Sequence, residues 1–113
     1  MAEGRDLTSD ERRLLRWLLE HGKPEASDLI PQLPGLRVVS RCPCGCPSID
    51  FVPPTPGGMQ IVSDYMFEDE AGQMIGVFAF AVAGTLAGLE VWSIAGDPIP
   101  TGVPDPSVLR PFL

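Results

Sequence analysis

Basic residues are scarce in this sequence, and most of them lie near its start. The 113 residues include eight Lys and Arg against 15 Asp and Glu, which gives a formal net charge of −7 at pH 7. Residues 42–113 contain eight acidic residues and a single basic one, Arg110. Nucleic-acid binders neutralise phosphates with clustered Lys and Arg. The sequence therefore argues against a nucleic-acid partner and favours a basic protein partner.

Residues for nucleophilic catalysis are also scarce. The only histidine is His21, and there is no G-x-S-x-G elbow, so a Ser or Cys triad would have to be built through His21. We interpret His21 as a helix C-terminal residue. Asp64 and Glu90 are expected about 12 Å apart on a sheet, beyond the roughly 5–9.5 Å of paired glycosidase carboxylates. These observations favour a non-enzymatic protein over an enzyme, and a thiol enzyme that uses one of the three cysteines stays an alternative.

The sequence lacks an export signal and a clear membrane segment. Its first residues are charged rather than apolar. The uncharged run over residues 71–89 is close to the length of a membrane span, but glycines interrupt it and no Lys or Arg flanks it closely. We interpret this run as two buried strands and expect a cytoplasmic protein without a membrane partner.

The chain has the length and composition of one folded domain, residues 1–113. A helical part is expected over 1–34, a sheet over 35–96 and a proline-rich tail over 97–113. Thr8-Ser9-Asp10-Glu11 fits a capping box before an apolar run, which predicts an N-terminal helix.

A second, shorter helix is expected at 25–30, before two prolines, and the pattern then becomes β-branched and alternating. The fold class predicted is α+β, with the N-terminal helix and the short second helix packed on one face of a mostly antiparallel sheet of about five strands. The expected strands are 36–41, 48–52, 60–67, 74–83 and 86–94.

Gly84-Thr85 predicts a two-residue type II′ hairpin turn, which fixes the register of the two flanking strands. One sheet face is then wholly apolar and should lie beneath a helix. That face would carry Phe78, Phe80, Val82, Ala87, Leu89 and Val91. The opposite face is mixed and would carry Ile75, Val77, Ala79, Ala81, Gly88, Glu90, Trp92 and Ile94.

Trp92 is the strongest candidate for binding on this mixed face. Burying an unpaired carboxylate is costly, so Asp64 of the preceding strand should join it while Ile61, Tyr65 and Phe67 face the core. A Trp with apolar and acidic neighbours is typical of an interface anchor. The predicted partner-binding residues are Trp92, Glu90, Asp64, Ile75 and Ile94. The alternative is that the tail covers this face with Val103, Val108, Leu109 and Phe112.

Three cysteines form the one unusual string, Cys42-Pro43-Cys44-Gly45-Cys46. Thiolates are preferred ligands of zinc and Cu(I), so these cysteines are a candidate metal site, with a fourth ligand from Asp50, His21 or a second chain. The C-x-C-x-C spacing differs from the usual C-x₂-C turn. The alternatives are a buried connector between two strands and a reactive thiol beside Arg41.

Four segments resemble the pattern of a family of small uncharacterised bacterial proteins. They are Leu7–Arg12, Cys42–Ser48, Gly84–Glu90 and Pro104–Pro106. Members of that family open with a Leu-Thr-x-x-Glu-Arg helix, carry a C-x-C-G-C-P-[ST] string, and continue with a Gly-x-Leu-x-x-Leu-Glu strand and a Pro-Asp-Pro tail. The resemblance covers most of the chain and implies no activity, because none is established for the family.

The charge asymmetry and the lack of a catalytic set together predict a bacterial protein-interaction domain of an adaptor or immunity type. Its acidic sheet face would bind a basic protein. Metal binding through the three cysteines is the alternative function. An open edge strand, such as the one from Ser48, would also allow a homodimer.

Overall fold

A computed structural model of the chain describes residues 4–41, 47–53, 58–94, 100 and 102–112. Two helical segments pack against a six-stranded antiparallel sheet, which confirms the predicted α+β class with one strand more than expected. These two segments are the α-helix α1 (Ser9–Glu20) and a 3₁₀ segment (Pro24–Gly35), and a short 3₁₀ turn (Pro106–Val108) precedes the last strand. The strands are β1 (Ser40–Arg41), β2 (Ile49–Asp50), β3 (Gln60–Glu68), β4 (Met74–Val82), β5 (Thr85–Ser93) and β6 (Arg110–Pro111).

Helix α1 begins with the capping box that the sequence predicts. The Thr8 hydroxyl accepts a hydrogen bond from the Glu11 amide, and the Glu11 carboxylate accepts one from the Thr8 amide. Both bonds satisfy amides that have no partner inside the helix. The apolar face of the helix is fully buried and consists of Leu14, Leu15, Leu18 and Leu19.

The second helical segment is longer than predicted and has 3₁₀ geometry throughout. It spans Pro24–Gly35 and contains Pro31 and Pro34. Proline removes the amide that an α-helical bond needs and its ring clashes with the preceding turn, so a regular α-helix is disfavoured here. The segment still buries Ala26, Leu29 and Leu33. No helix within the described ranges is long and apolar enough to cross a membrane.

The sheet has the strand order β1-β2-β5-β4-β3-β6. Its three long strands, β3, β4 and β5, form the centre. We call the side that packs against the two helical segments the core face and the opposite side the outer face. The buried core-face residues of β4 and β5 are Ile75, Val77, Ala79, Ala81, Leu86, Leu89 and Val91.

The predicted register of the β4–β5 hairpin is wrong by one residue along most of its length. The turn is Ala83-Gly84, and both residues have positive φ, as a type I′ turn requires. A bulge between Phe80 and Ala81 shifts the pairing again. A one-residue slip moves every side chain of one strand to the other face. Three β4 residues expected in the core therefore lie on the outer face, namely Phe78, Phe80 and Val82. The β4 residues that lie in the core instead are Ile75, Val77, Ala79 and Ala81.

The chain after residue 102 was predicted to lack regular structure, but part of it closes one edge of the sheet. Strand β6 pairs with β3 through Tyr65–Pro111 and Met66–Arg110. Val103 and Leu109 pack against the core rather than over the outer face, and Val108 is 51% exposed. Phe112 does reach the outer face, where its ring stacks with that of Trp92.

Candidate partner-binding face

The outer face is an aromatic and aliphatic surface on the three long strands. Alternation along each strand, together with the observed pairing, places large apolar side chains side by side on it. These residues are Ile61 and Met66 of β3, Phe78, Phe80 and Val82 of β4, and Trp92 of β5. All are at least partly accessible, and Trp92 is 36% exposed.

Two glycines allow aromatic rings to lie flat across the neighbouring strand. Gly76 pairs with Trp92, and a Cβ at Gly76 would lie 2.3 Å from the indole Nε1. Gly88 pairs with Phe80, and a Cβ there would lie 2.4 Å from the Phe80 ring. Any larger residue at either glycine would displace the ring. The glycines thus help to form a continuous apolar surface.

Phe112 extends this surface at the sheet edge. Its ring lies 6.2 Å from that of Trp92, centre to centre, with 26° between the ring planes. The ring centres of Phe78 and Phe80 are 6.0 Å apart. These spacings fall within the range of favourable aromatic pairs. Four aromatic rings therefore share the outer face.

Two carboxylates interrupt the apolar surface in one row across the sheet. Asp64 of β3 pairs with Phe78 of β4, and Phe78 pairs with Glu90 of β5. Two strand spacings separate the carboxylate-bearing residues by about 10 Å, close to the predicted separation and with a phenyl ring between them.

Glu90 is partly buried and has a hydrogen-bond partner within the chain. Ser48, which is buried, donates to the Glu90 carboxylate at 3.3 Å. Burial raises the pKa of Glu90 above its ordinary value; the Ser48 hydrogen bond opposes this effect, and the nearby Asp50 charge adds to it. Asp50 itself accepts a hydrogen bond from Ser40.

Asp64 is the less satisfied of the two carboxylates. Its Oδ1 atom is buried and has no hydrogen-bond partner among the described residues. Burial raises the pKa of Asp64, and the positive charge of Lys23 opposes the shift. The prediction that Asp64 stays off the core face is confirmed.

Ile75 does not belong to this face. It is 1% exposed and lies in the core, because the β4 register differs from the predicted one. Ile61 shows the opposite error: it was expected on the core face but lies on the outer face, since a bulge between Ile61 and Ser63 inserts Val62 into the core. Ile94 follows β5, is partly exposed, and donates its amide to the Met74 carbonyl.

The predicted metal ligands Cys42, Cys44 and Cys46 lie outside the described residues, so zinc or copper binding stays a prediction. Within the described ranges, no three His, Cys, Asp or Glu side chains form a group that could hold a metal ion. His21 stacks on Trp17 with a ring-centre distance of 4.2 Å, and its Nδ1 lies 2.8 Å from the Trp17 carbonyl.

Sequence reasoning located Trp92, Glu90 and Asp64 on one face but missed Phe78, Phe80 and Phe112. The signal for the missed rings was the placement of Gly76 and Gly88 opposite aromatic residues, which becomes visible only in the correct register. In the comparisons with known proteins, no family model, curated protein or solved structure matches this chain. The resemblance to the bacterial family therefore stays a prediction.

Proposed function

We propose that this chain is a non-enzymatic protein-interaction domain, of an adaptor or immunity type, that binds a basic protein through its outer face. The observation that carries the proposal is the partly exposed Trp92 within an aromatic sheet face that also holds Asp64 and Glu90. Both helical segments lie on the other side of the sheet. The outer face has the composition of an interface centre rather than that of an ordinary solvated surface.

Each component of the face has a distinct physical role in such binding. Large aromatic side chains such as Trp92 contribute most of the binding free energy in interfaces, because they bury much area and lose little conformational entropy. The carboxylates of Asp64 and Glu90 select a cationic partner. The net charge of −7 would speed the encounter with a basic protein at low salt.

Affinity capture with matched variants tests this function. The tagged protein, Trp92→Ala, Glu90→Lys and the control Val108→Ala are used to capture proteins from lysate of the source cells, followed by mass spectrometry. Val108 is a suitable control because it is 51% exposed and belongs to the segment Pro106–Val108, which contacts helix α1. We expect one basic protein to be retained by the wild type and the control and to be lost with both outer-face variants.

The folding of each variant must also be checked, because Trp92 packs over Gly76 and its removal could destabilise the sheet. Each variant should retain a cooperative thermal transition before its capture is scored. A partner retained equally by Trp92→Ala and Glu90→Lys would refute the outer face as the binding surface. An acidic partner would refute the proposed charge selectivity.

A further inference from the structure

The surroundings of the Asp64 carboxylate indicate which chemical group of a partner would bind there. Its Oδ1 atom is buried without a hydrogen bond from any described residue. A carboxylate in partly apolar surroundings is costly unless a donor or a cation compensates it. Glu90 in the same row has such a donor in Ser48. Asp64 is thus the outer-face acid whose buried oxygen lacks a donor among the described residues.

The chain itself forms no ion pair with Asp64, although the charge of Lys23 partly offsets the burial of the carboxylate. All eight Lys and Arg residues lie in the described ranges, and none forms an ion pair with Asp64. Lys23 acts on Asp64 only through its electrostatic field. Arg41 lies on β1, four strands from β3 and so roughly 19 Å away. The remaining side chains bond elsewhere: Arg5 to Glu11, Arg12 to the Leu33 carbonyl, Arg13 to Asp105, Arg16 to Glu20, Arg37 to Asp6 and Arg110 to the Met74 sulfur.

The surroundings of Asp64 favour a guanidinium over other cations. Phe78 pairs directly with Asp64 and places a phenyl ring beside its carboxylate. A guanidinium is planar, stacks on aromatic rings and is less strongly hydrated than an ammonium ion. A hard metal ion would need several oxygen ligands, and the described residues offer no group of three.

We propose that Asp64 is the anchor for an arginine side chain of the partner protein, whose guanidinium binds the carboxylate beside the Phe78 ring. This inference rests on the proposed function and adds the identity of the recognised side chain. The partner would present that arginine within an apolar segment, because the surface around Asp64 is apolar.

Titration with three short peptides tests the anchor directly and does not require the partner protein. Each peptide has one variable central residue between two leucines: arginine, its neutral isostere citrulline, or lysine. Binding is followed by the amide chemical shifts of β3, β4 and β5 in the full chain at pH 7. The variants are Asp64→Asn and the control Glu68→Gln, an exposed carboxylate further along the outer side of β3.

We expect the wild type to bind the arginine peptide about tenfold more tightly than the citrulline peptide, as a charge-assisted hydrogen bond implies. The lysine peptide should bind more weakly than the arginine peptide. Asp64→Asn should abolish the preference for arginine over citrulline, and Glu68→Gln should keep it.

Equal affinity for arginine and citrulline, or a preference that survives in Asp64→Asn, would overturn the anchor. So would the absence of binding by any of the peptides, and lysine binding as tightly as arginine would overturn the guanidinium assignment. If arginine and citrulline peptides bind equally but both are lost in Trp92→Ala, the anchor fails while the outer face stands as a binding surface. The two proposals are therefore separable.

Thermal unfolding of the protein without ligand tests the anchor independently of peptide binding. If the carboxylate has no partner in the free protein, neutralising it should help the fold, and the melting temperature of Asp64→Asn at pH 7 should exceed that of the wild type by about 4 °C. A lower melting temperature would show that a group within the chain already compensates the charge, and would overturn the anchor.

Discussion

Glu11 and Asp64 are two partly buried carboxylates whose pKa values shift in opposite directions. Burial alone would raise the pKa of Glu11, but the hydrogen bonds from the Arg5 guanidinium and the Thr8 amide outweigh it and lower the pKa. Asp64 has no comparable donor, and burial raises its pKa. The paired acid Glu11 therefore stabilises the fold, whereas the buried charge of Asp64 costs stability.

Glu11→Gln should therefore destabilise the protein at neutral pH. The folded state holds the pKa of Glu11 below the unfolded value of about 4.3, so its contribution is complete above that pH and is lost as pH falls through the lower folded pKa. We expect a loss of about 1–2 kcal/mol at pH 7 in urea unfolding, and a smaller loss below pH about 4.

Glu20→Gln is the matched control for this prediction. Glu20 lies on the same helix and faces Arg16 at 3.9 Å, but both side chains are about half exposed. An exposed pair of this kind contributes less than about 0.5 kcal/mol. Equal losses in Glu11→Gln and Glu20→Gln, or a loss for Glu11→Gln that does not change with pH, would contradict the account of the capping box.

At the scale of elements, the β4–β5 hairpin decides which side chains reach the outer face. The sequence offers two overlapping candidates for the two-residue turn, Ala83-Gly84 and Gly84-Thr85. Local turn preference favours the second, because alanine rarely adopts a positive φ. The fold adopts the first, with Ala83 at φ 53°. The bulge at Ala87 of β5 and the burial of the β4 residues Ile75, Val77, Ala79 and Ala81 outweigh the local cost of the positive φ at Ala83.

The cost of the positive φ at Ala83 can be measured by substitution. Ala83→Asn should stabilise the protein by roughly 0.5–1 kcal/mol, because Asn tolerates the left-handed region and Asn-Gly is the preferred type I′ pair. Thr85→Asn, beside the turn but within strand β5, should give no such gain. Urea unfolding of both variants checks the expectation, and a loss of stability in Ala83→Asn would contradict the observed turn.

Several other elements were predicted correctly from the local sequence. The capping box of α1 and the existence of the three long strands were predicted correctly, because they depend on neighbouring residues. The 3₁₀ geometry of Pro24–Gly35, the bulge at Val62 and the pairing of β6 with β3 were not. These features depend on contacts between residues far apart in sequence, which periodicity does not contain.

At the scale of the whole molecule, the chain divides into a helical side and an open sheet side. Leucines of α1 and of the 3₁₀ segment cover the core face, while aromatic rings and two carboxylates occupy the outer face. Composition correctly suggested an acidic, partly apolar sheet face, since Asp64, Glu90 and Trp92 all lie there. The continuous aromatic surface of that face was not predicted, because it arises from Gly76 and Gly88, which pair with aromatic residues on the neighbouring strand.

Hydroxyl-radical footprinting of the chain alone and in its captured complex tests whether the partner binds on the outer face. We predict that Trp92 and Met66 become protected on binding, while Met59, which is 53% exposed, remains as reactive as before. Protection of Trp17 and His21 on the helical side, with Trp92 unchanged, would contradict the account.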